Sequence, residues 1–374
     1  MAEPTSRRVF ESPVGPMVTV DGRHLLWFGG TAYLGLQSDP AVIRAAQDAL
    51  ARYGLHAGSA RAGYGTSPSL LDSEAALCAL FGTPAALHVA SGWAAGALML
   101  AALPERRWRA FHDASCHDSA REALHAFGLP CHAFVHRDPE DLRAVLHREL
   151  QAGESPLVMT DGVFAGTGAL APLVEYRAVL AAHGDSALCV DDAHGFGVLG
   201  GAGRGTLEHL GIDAHNGPCR LLVAGTASKA LGGHGGVLAD DAATVERARI
   251  RSPWHAGSTP PTVPVAAATA TAVGLVRTQP ERRTRLHANT ATLRAGLAAL
   301  GMNLPAAPTP ILAVPCRDAR EGERRHEALR GAGILVPVLS DYGGLHGTAL
   351  RIAVFATHEA HHLEQLLDAL RRCL

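Results

Sequence analysis

Between residues 40 and 53, after Pro40, the apolar residues Val42, Ile43, Ala46, Ala49 and Leu50 recur at a spacing that places them on one helical face. Further along, short apolar runs alternate with helical patterns. The runs are "WRAFHD" (108–113), "CHAFVH" (131–136), "PLVMTD" (156–161), "SALCVDD" (186–192), "RLLVAGT" (220–226) and "GGVLAD" (235–240). Between them the spacing predicts helices over 93–103, 117–127, 138–151 and 172–183. Such alternation predicts an α/β fold, a mostly parallel sheet covered by helices on both faces. Several runs close on Asp, Thr or Ser, at the carboxyl ends of the strands, where open α/β sheets take their ligands. From about residue 262 the pattern changes to long helices, 262–278 and 280–300. A smaller α/β set follows: "ILAVP" (311–315), a helix over 320–331, "ILVPV" (334–338), "LRIAVF" (350–355) and a helix over 358–372. The expected organisation is an N-terminal segment (1–36), a large domain (37–275) and a small C-terminal domain (276–374) packed against the N-terminal segment.

Composition narrows the functional classes. The chain has 374 residues, 47% of them hydrophobic, and a formal charge of −2 with no basic stripe, which argues against nucleic acid as a partner. The first residues lack an apolar signal region, and no apolar run is long enough to span a bilayer, so the expectation is a cytoplasmic protein. Seven cysteines are scattered without a CxxC pair and read as reduced thiols. The 21 histidines form no metal box, and "HEAHH" (358–362) reads as a solvated helix start, so no metal is expected.

One detail of the charge changes the picture. Of 33 basic Lys and Arg residues, Lys229 is the single lysine. Most sites accept arginine for lysine, but one that needs a deprotonatable amine cannot, because a guanidinium stays charged. Lys229 lies in "GTASKALGGHGG" (225–236), just beyond an apolar run, where an amine can form a Schiff base with a carbonyl such as that of pyridoxal phosphate. Thr226 and Ser228 put hydroxyls beside it, where a phosphate could be held. Taken alone, the Gly-rich stretch is simply a turn. In "LCVDDAHGFG" (188–197), Asp191 and His194 reach the same sheet edge; a carboxylate facing a pyridine nitrogen keeps it protonated, and a histidine can bond the ring's phenolic oxygen. Ser91, Gly92 and Trp93 open an apolar helix, whose free N–H groups suit a phosphate. His117, at another strand-to-helix turn, is placed either to cap its helix or to stack on a cofactor ring.

In order along residues 25–372, these segments resemble the pyridoxal-phosphate-dependent α-oxoamine synthases of the fold-type I, aspartate aminotransferase-like superfamily, the family of 8-amino-7-oxononanoate synthase and serine palmitoyltransferase. "YLGL" (33–36), "GSARAGYGT" (58–66), "SGWAAG" (91–96), "DASCHDS" (113–119), "TDGVFAGTGALAPL" (160–173), "DDAHGFGVLGGAGRG" (191–205), the lysine segment, "STPP" (258–261) and "LRIAVFATHE" (350–359) carry the resemblance. It implies a large cofactor domain, a small C-terminal domain and a homodimer with shared active sites. It further implies that Lys229 forms the Schiff base, that Asp191 faces the ring nitrogen and His194 the ring oxygen, and that His117 stacks on the ring. Asp161 is implied as a further cofactor contact. The phosphate would be held by Ser91, Gly92, Trp93, Thr226 and Ser228, with Ser258 reaching in from a second subunit. Arg351 is implied for the amino-acid carboxylate and Arg61 as a second substrate contact. Ala32, Leu70, Gly96 and Ala165 stand where the family has asparagine, histidine, asparagine and serine. The implied reaction joins an L-amino acid to an acyl thioester, of CoA or of an acyl-carrier protein, and loses CO₂ to give an α-amino ketone. An aminotransferase of the same fold is the alternative.

Overall fold

The computed structural model describes residues 8–373; residues 1–7, which begin the expected N-terminal segment, and Leu374 lie outside the described residues. A hairpin of β1 (Met17–Val20) and β2 (Arg23–Trp27) comes first. Seven strands then form the main sheet: β3 (Ala85–Val89), β4 (Trp108–Asp113), β5 (Cys131–Phe134), β6 (Ser155–Asp161), β7 (Ala187–Asp191), β8 (Arg220–Thr226) and β9 (Gly236–Asp240). Their order is β3-β9-β8-β7-β6-β4-β5, with β4 to β8 paired in parallel and β9 antiparallel to both neighbours.

Both faces of this sheet are covered, and alternate residues of one strand join different cores. Ala110, Leu157, Met159, Cys189, Leu222 and Ala224 pack on one side, with the helices Ala95–Ala102 and Asp118–Ala126. Phe111, Val158, Leu188, Val190 and Leu221 pack on the other, with the helices Pro139–Glu149 and Leu173–Leu180. This two-sided burial explains why the strands read as unbroken apolar runs.

The C-terminal part adds β10 (Ile311–Cys316), β11 (Ile334–Leu335), β12 (Val338–Ser340) and β13 (Thr348–Ala353). Strands β10, β13 and β12 form one antiparallel sheet, while β11 runs parallel to β2 and joins the N-terminal hairpin. The run "ILVPV" is therefore two strands in two sheets. Pro337 has no N–H to give a ladder, and the chain changes sheets there.

Three further expectations are corrected. On the helix Pro40–Tyr53, Val42 and Ala49 are buried, but Ile43 and Leu50 are 41% and 47% exposed, so the apolar face is wider than the surface it covers. His358 is not solvated. It is buried between Phe28 and Phe355, at ring distances of 4.2 and 4.9 Å, with Nε2 bonded to the Trp27 carbonyl, and the helix itself begins at Ala360. The stretch 54–92, assigned no element from its pattern, contains β3 and the helix Pro68–Phe81, which Ser67 caps. Among the described residues no helix is long and apolar enough to cross a membrane.

Candidate active site

The register of the parallel strands builds the site. Asp161 ends β6 and Asp191 ends β7, and the ladder pairs the two residues directly. They sit two positions after Met159 and Cys189, so both carboxylates emerge on one face of the sheet. Asp192, one residue on, points to the other face, where it accepts the Thr206 N–H at 2.6 Å and the Thr206 hydroxyl. Of the two adjacent acids, the first serves the cavity and the second ties down a loop.

Strand β8 ends at Thr226 and delivers Lys229 to the same edge. These groups line a cavity of about 250 Å³, together with Ser91, Gly92, Trp93, His117, His194, Ser228 and His234. Withdrawal from water lowers the Lys229 pKa to about 8, against the pull of Asp191 and Asp161, which favour its cation. Burial raises the Asp191 pKa, with Lys229 opposing, and raises that of Asp161 well above the usual range, with Asp191 adding to the effect. Two carboxylates thus share one amine, and the cavity can accommodate a further cation or proton donor.

His194 is neutral: burial, then Lys229, holds its pKa well below the ordinary value. Tyr33, on the segment after β2, lies with its hydroxyl 2.8 Å from His194 Nδ1, and Arg351 Nη2 donates to that hydroxyl at 3.3 Å. Burial raises the Tyr33 pKa, so the phenol keeps its proton. Receiving from Arg351, it donates to Nδ1, which leaves the His194 proton on Nε2. Tyr33 belongs to the "YLGL" segment, yet the sequence reading assigned it no role.

His117 serves two purposes. Its Nδ1 accepts the Ser119 N–H at 3.3 Å and so caps the helix Asp118–Ala126, while its own N–H donates to Asp161 at 3.0 Å. The ring meets Trp93 edge-on at 5.3 Å and faces the cavity. At the other end, Thr226 donates to the Gly235 carbonyl at 2.8 Å, and Ser228 Oγ accepts the Gly235 N–H at 3.0 Å. A Cβ on Gly92 would lie 2.5 Å from Thr226 Oγ1, so only glycine allows this close approach.

Three expected site residues are absent from the lining of this cavity. Arg351 is buried beside it: Nε donates to the carbonyl of Ala165, a lining residue, at 2.7 Å and Nη1 to that of Gly30 at 3.1 Å. Ser258 does not line the cavity of its own chain, and its hydroxyl turns to the Thr259 carbonyl. Arg61 lies outside this cavity, in a buried ion pair. Both of its terminal nitrogens bond the two carboxylate oxygens of buried Glu74, which also accepts the His88 N–H at 3.0 Å. Among the described residues, the metal-ligating side chains that converge are His215, Asp240 and Asp241, at the opposite sheet edge. There Asp241 is already the cap of the helix Ala242–Arg251.

The donor set fits pyridoxal phosphate: an amine of lowered basicity for its aldehyde, buried acids for its ring nitrogen, an N–H on His194 for its ring oxygen, and hydroxyls with helix N–H groups for its phosphate. The comparisons agree. The family model for aminotransferase class I and II matches residues 23–370. The 8-amino-7-oxononanoate synthase of Methylococcus capsulatus is 38% identical over 370 residues, covering 97% of this chain and 93% of that one. That of Nitrosococcus oceani is 36% identical, covering 98% and 96%. Among solved structures, the serine palmitoyltransferase of Sphingomonas wittichii superposes with a TM-score of 0.89 at 28% identity, covering 98% of this chain and 91% of that one. A serine palmitoyltransferase carrying PLP gives 0.89 at 27%, with 98% and 92% covered. The aminotransferase alternative is overturned by these relatives, which are synthases and acyltransferases along nearly their whole length. The chain belongs to the class I and II aminotransferase family and, within it, to the pyridoxal-phosphate-dependent α-oxoamine synthases.

Proposed function

We propose that the protein joins L-alanine to a seven-carbon acyl thioester bearing a terminal carboxylate. The product that names its relatives, 8-amino-7-oxononanoate, contains both pieces. Its C8–C9 unit with the amine is what alanine leaves after losing CO₂, and its C1–C7 unit is the acyl group. The new bond joins the alanine α-carbon to the acyl carbon as the C–S bond breaks and the thiol takes a proton; the alanine carboxylate then leaves as CO₂, and a proton takes its place on the α-carbon.

The observation that carries this reading is the single lysine, facing Asp161 and Asp191 across a small cavity. Pyridoxal phosphate supplies, when bound, an electron sink for the Cα–H bond. Lys229 takes the α-proton at Nζ, a transfer favoured by its pKa of about 8. Asp191 would keep the ring nitrogen protonated, with Asp161 a further acid of the lining, while His194 would donate to the ring oxygen and His117 would flank the ring. Ser91, Gly92, Trp93, Thr226 and Ser228 hold the phosphate, joined by Ser258 of the partner subunit. Arg351 keeps two N–H groups beyond its three bonds, enough for an amino-acid carboxylate.

A homodimer supports the same site. Leu50, Leu55 and Trp93 are 47%, 56% and 43% exposed, and Tyr64 is 93% exposed, apolar surface that a second copy would cover. The seven free cysteines accord with a reducing, cytoplasmic compartment. Alanine, glycine and serine, each tested against pimeloyl, octanoyl and palmitoyl thioesters, decide the substrates by thiol and CO₂ release. Alanine with pimeloyl thioester is expected to give the highest kcat/KM; serine with palmitoyl thioester in that place would overturn the substrate assignment.

A further inference from the structure

In the loop after Lys229, Gly232 and Gly233 precede His234, while Gly235 and Gly236 follow it. The glycines next to the histidine are required by crowding. A Cβ on Gly233 would overlap Thr269, and one on Gly235 would overlap the Val89 carbonyl and lie 2.8 Å from His88 Nε2. In a loop stripped of side chains, one imidazole is kept.

Its backbone is held at both polar groups. The His234 N–H donates to Thr269 Oγ1 at 3.2 Å, and its carbonyl accepts from His88 Nε2 at 2.7 Å. His88 is fully buried in β3, where burial lowers its pKa to about 4, so the ring is neutral and its single proton sits on Nε2. Nδ1 then accepts from Ser73 Oγ at 2.9 Å. A buried histidine and serine thus serve one carbonyl of this loop, while the His88 N–H is held by Glu74. With its backbone fixed in this way, His234 is exposed to solvent and lines the cavity beside Ser91, Gly92, Thr226 and Ser228. Ser228 Oγ accepts from the Gly235 N–H and lies 2.9 Å from Thr226 Oγ1, whose own proton goes to the Gly235 carbonyl, so the two hydroxyls and the loop form one bonded unit at this end.

We propose that His234, held at the cavity wall by its clamped backbone, is a direct ligand of the cofactor's phosphate through an imidazole N–H. The inference rests on the cofactor reading above and adds a residue to it. Its test is a pair of titrations of the apoprotein, one with pyridoxal phosphate and one with pyridoxal, which has the same ring and aldehyde but no phosphate. H234A is expected to raise the Kd for pyridoxal phosphate about tenfold, the loss of one hydrogen bond to a charged group, and to leave that for pyridoxal within about twofold. H234N, which keeps an N–H, is expected to recover part of the loss. The phosphorus resonance of the bound cofactor is expected to shift in H234A. Equal changes for both ligands, or none for either, would overturn the contact, as would H234N binding no better than H234A. Wild-type protein that bound neither ligand would instead overturn the cofactor reading.

Discussion

At Arg61 and Glu74 a buried cation meets a buried anion in a two-toothed pair, and the remaining capacity of the carboxylate is taken by a backbone N–H. At the carboxyl edge of the main sheet, Asp161 and Asp191 stand side by side against one amine. The first set balances one buried cation against one buried anion and lies outside the cavity. The second is unbalanced: burial raises both acids and lowers the amine, which is the signature of groups arranged for chemistry rather than for stability. Both sets contain residues of motifs visible in the sequence, and only geometry separates them.

That contrast can be broken from either side. K229A is expected to lower kcat by at least about a thousandfold, the scale of a lost general base that is also the cofactor's anchor, with the fold intact by circular dichroism. E74A is expected to do the reverse. It should lower the unfolding free energy by about 3–5 kcal/mol in denaturant titrations, because Arg61 is left buried and alone. A double variant, R61M/E74L, should recover most of that stability, since no charge remains unpaired. D191N is expected to lower activity by about a hundredfold or more. Its apoprotein should melt no lower than wild type. Burial raises the folded pKa of Asp191, so its ionised form opposes folding as pH rises through that value, and a neutral amide removes the penalty.

How much of this was legible in the sequence follows from how local each signal is. The strands β4 to β9 were visible because each is a short apolar run ending at a polar residue, and Lys229 stood out because arginine fills every other basic position. Which of Asp191 and Asp192 faces the cavity depends on strand alternation, which the run alone does not anchor to a face. Tyr33 was invisible as a site residue because its partner His194 is 161 positions away. The ion pair of Arg61 is hidden in the sequence for the same reason: nothing in its own motif announces Glu74. The exposed Ile43 and Leu50 follow a helical period that is wider than the surface the helix packs on.

Two smaller effects sharpen the comparison. The rate at which apoprotein captures pyridoxal phosphate is expected to rise about tenfold per pH unit below 8 and to level off above it. Only the neutral amine reacts, and its fraction grows as pH rises through the Lys229 pKa of about 8. A capture rate unchanged between pH 6 and 9 would contradict a lysine whose pKa is lowered by burial. Y33F removes the donor that fixes His194 and is expected to lower kcat by up to about tenfold, the worth of one hydrogen bond.

The most direct measurement is borohydride reduction of the cofactor-loaded protein followed by peptide mapping. A pyridoxyl group on Lys229, and on no other residue, is the expected result. A colourless protein that takes no label in excess pyridoxal phosphate, or a label at the N-terminal amine alone, would contradict the assignment of the whole site.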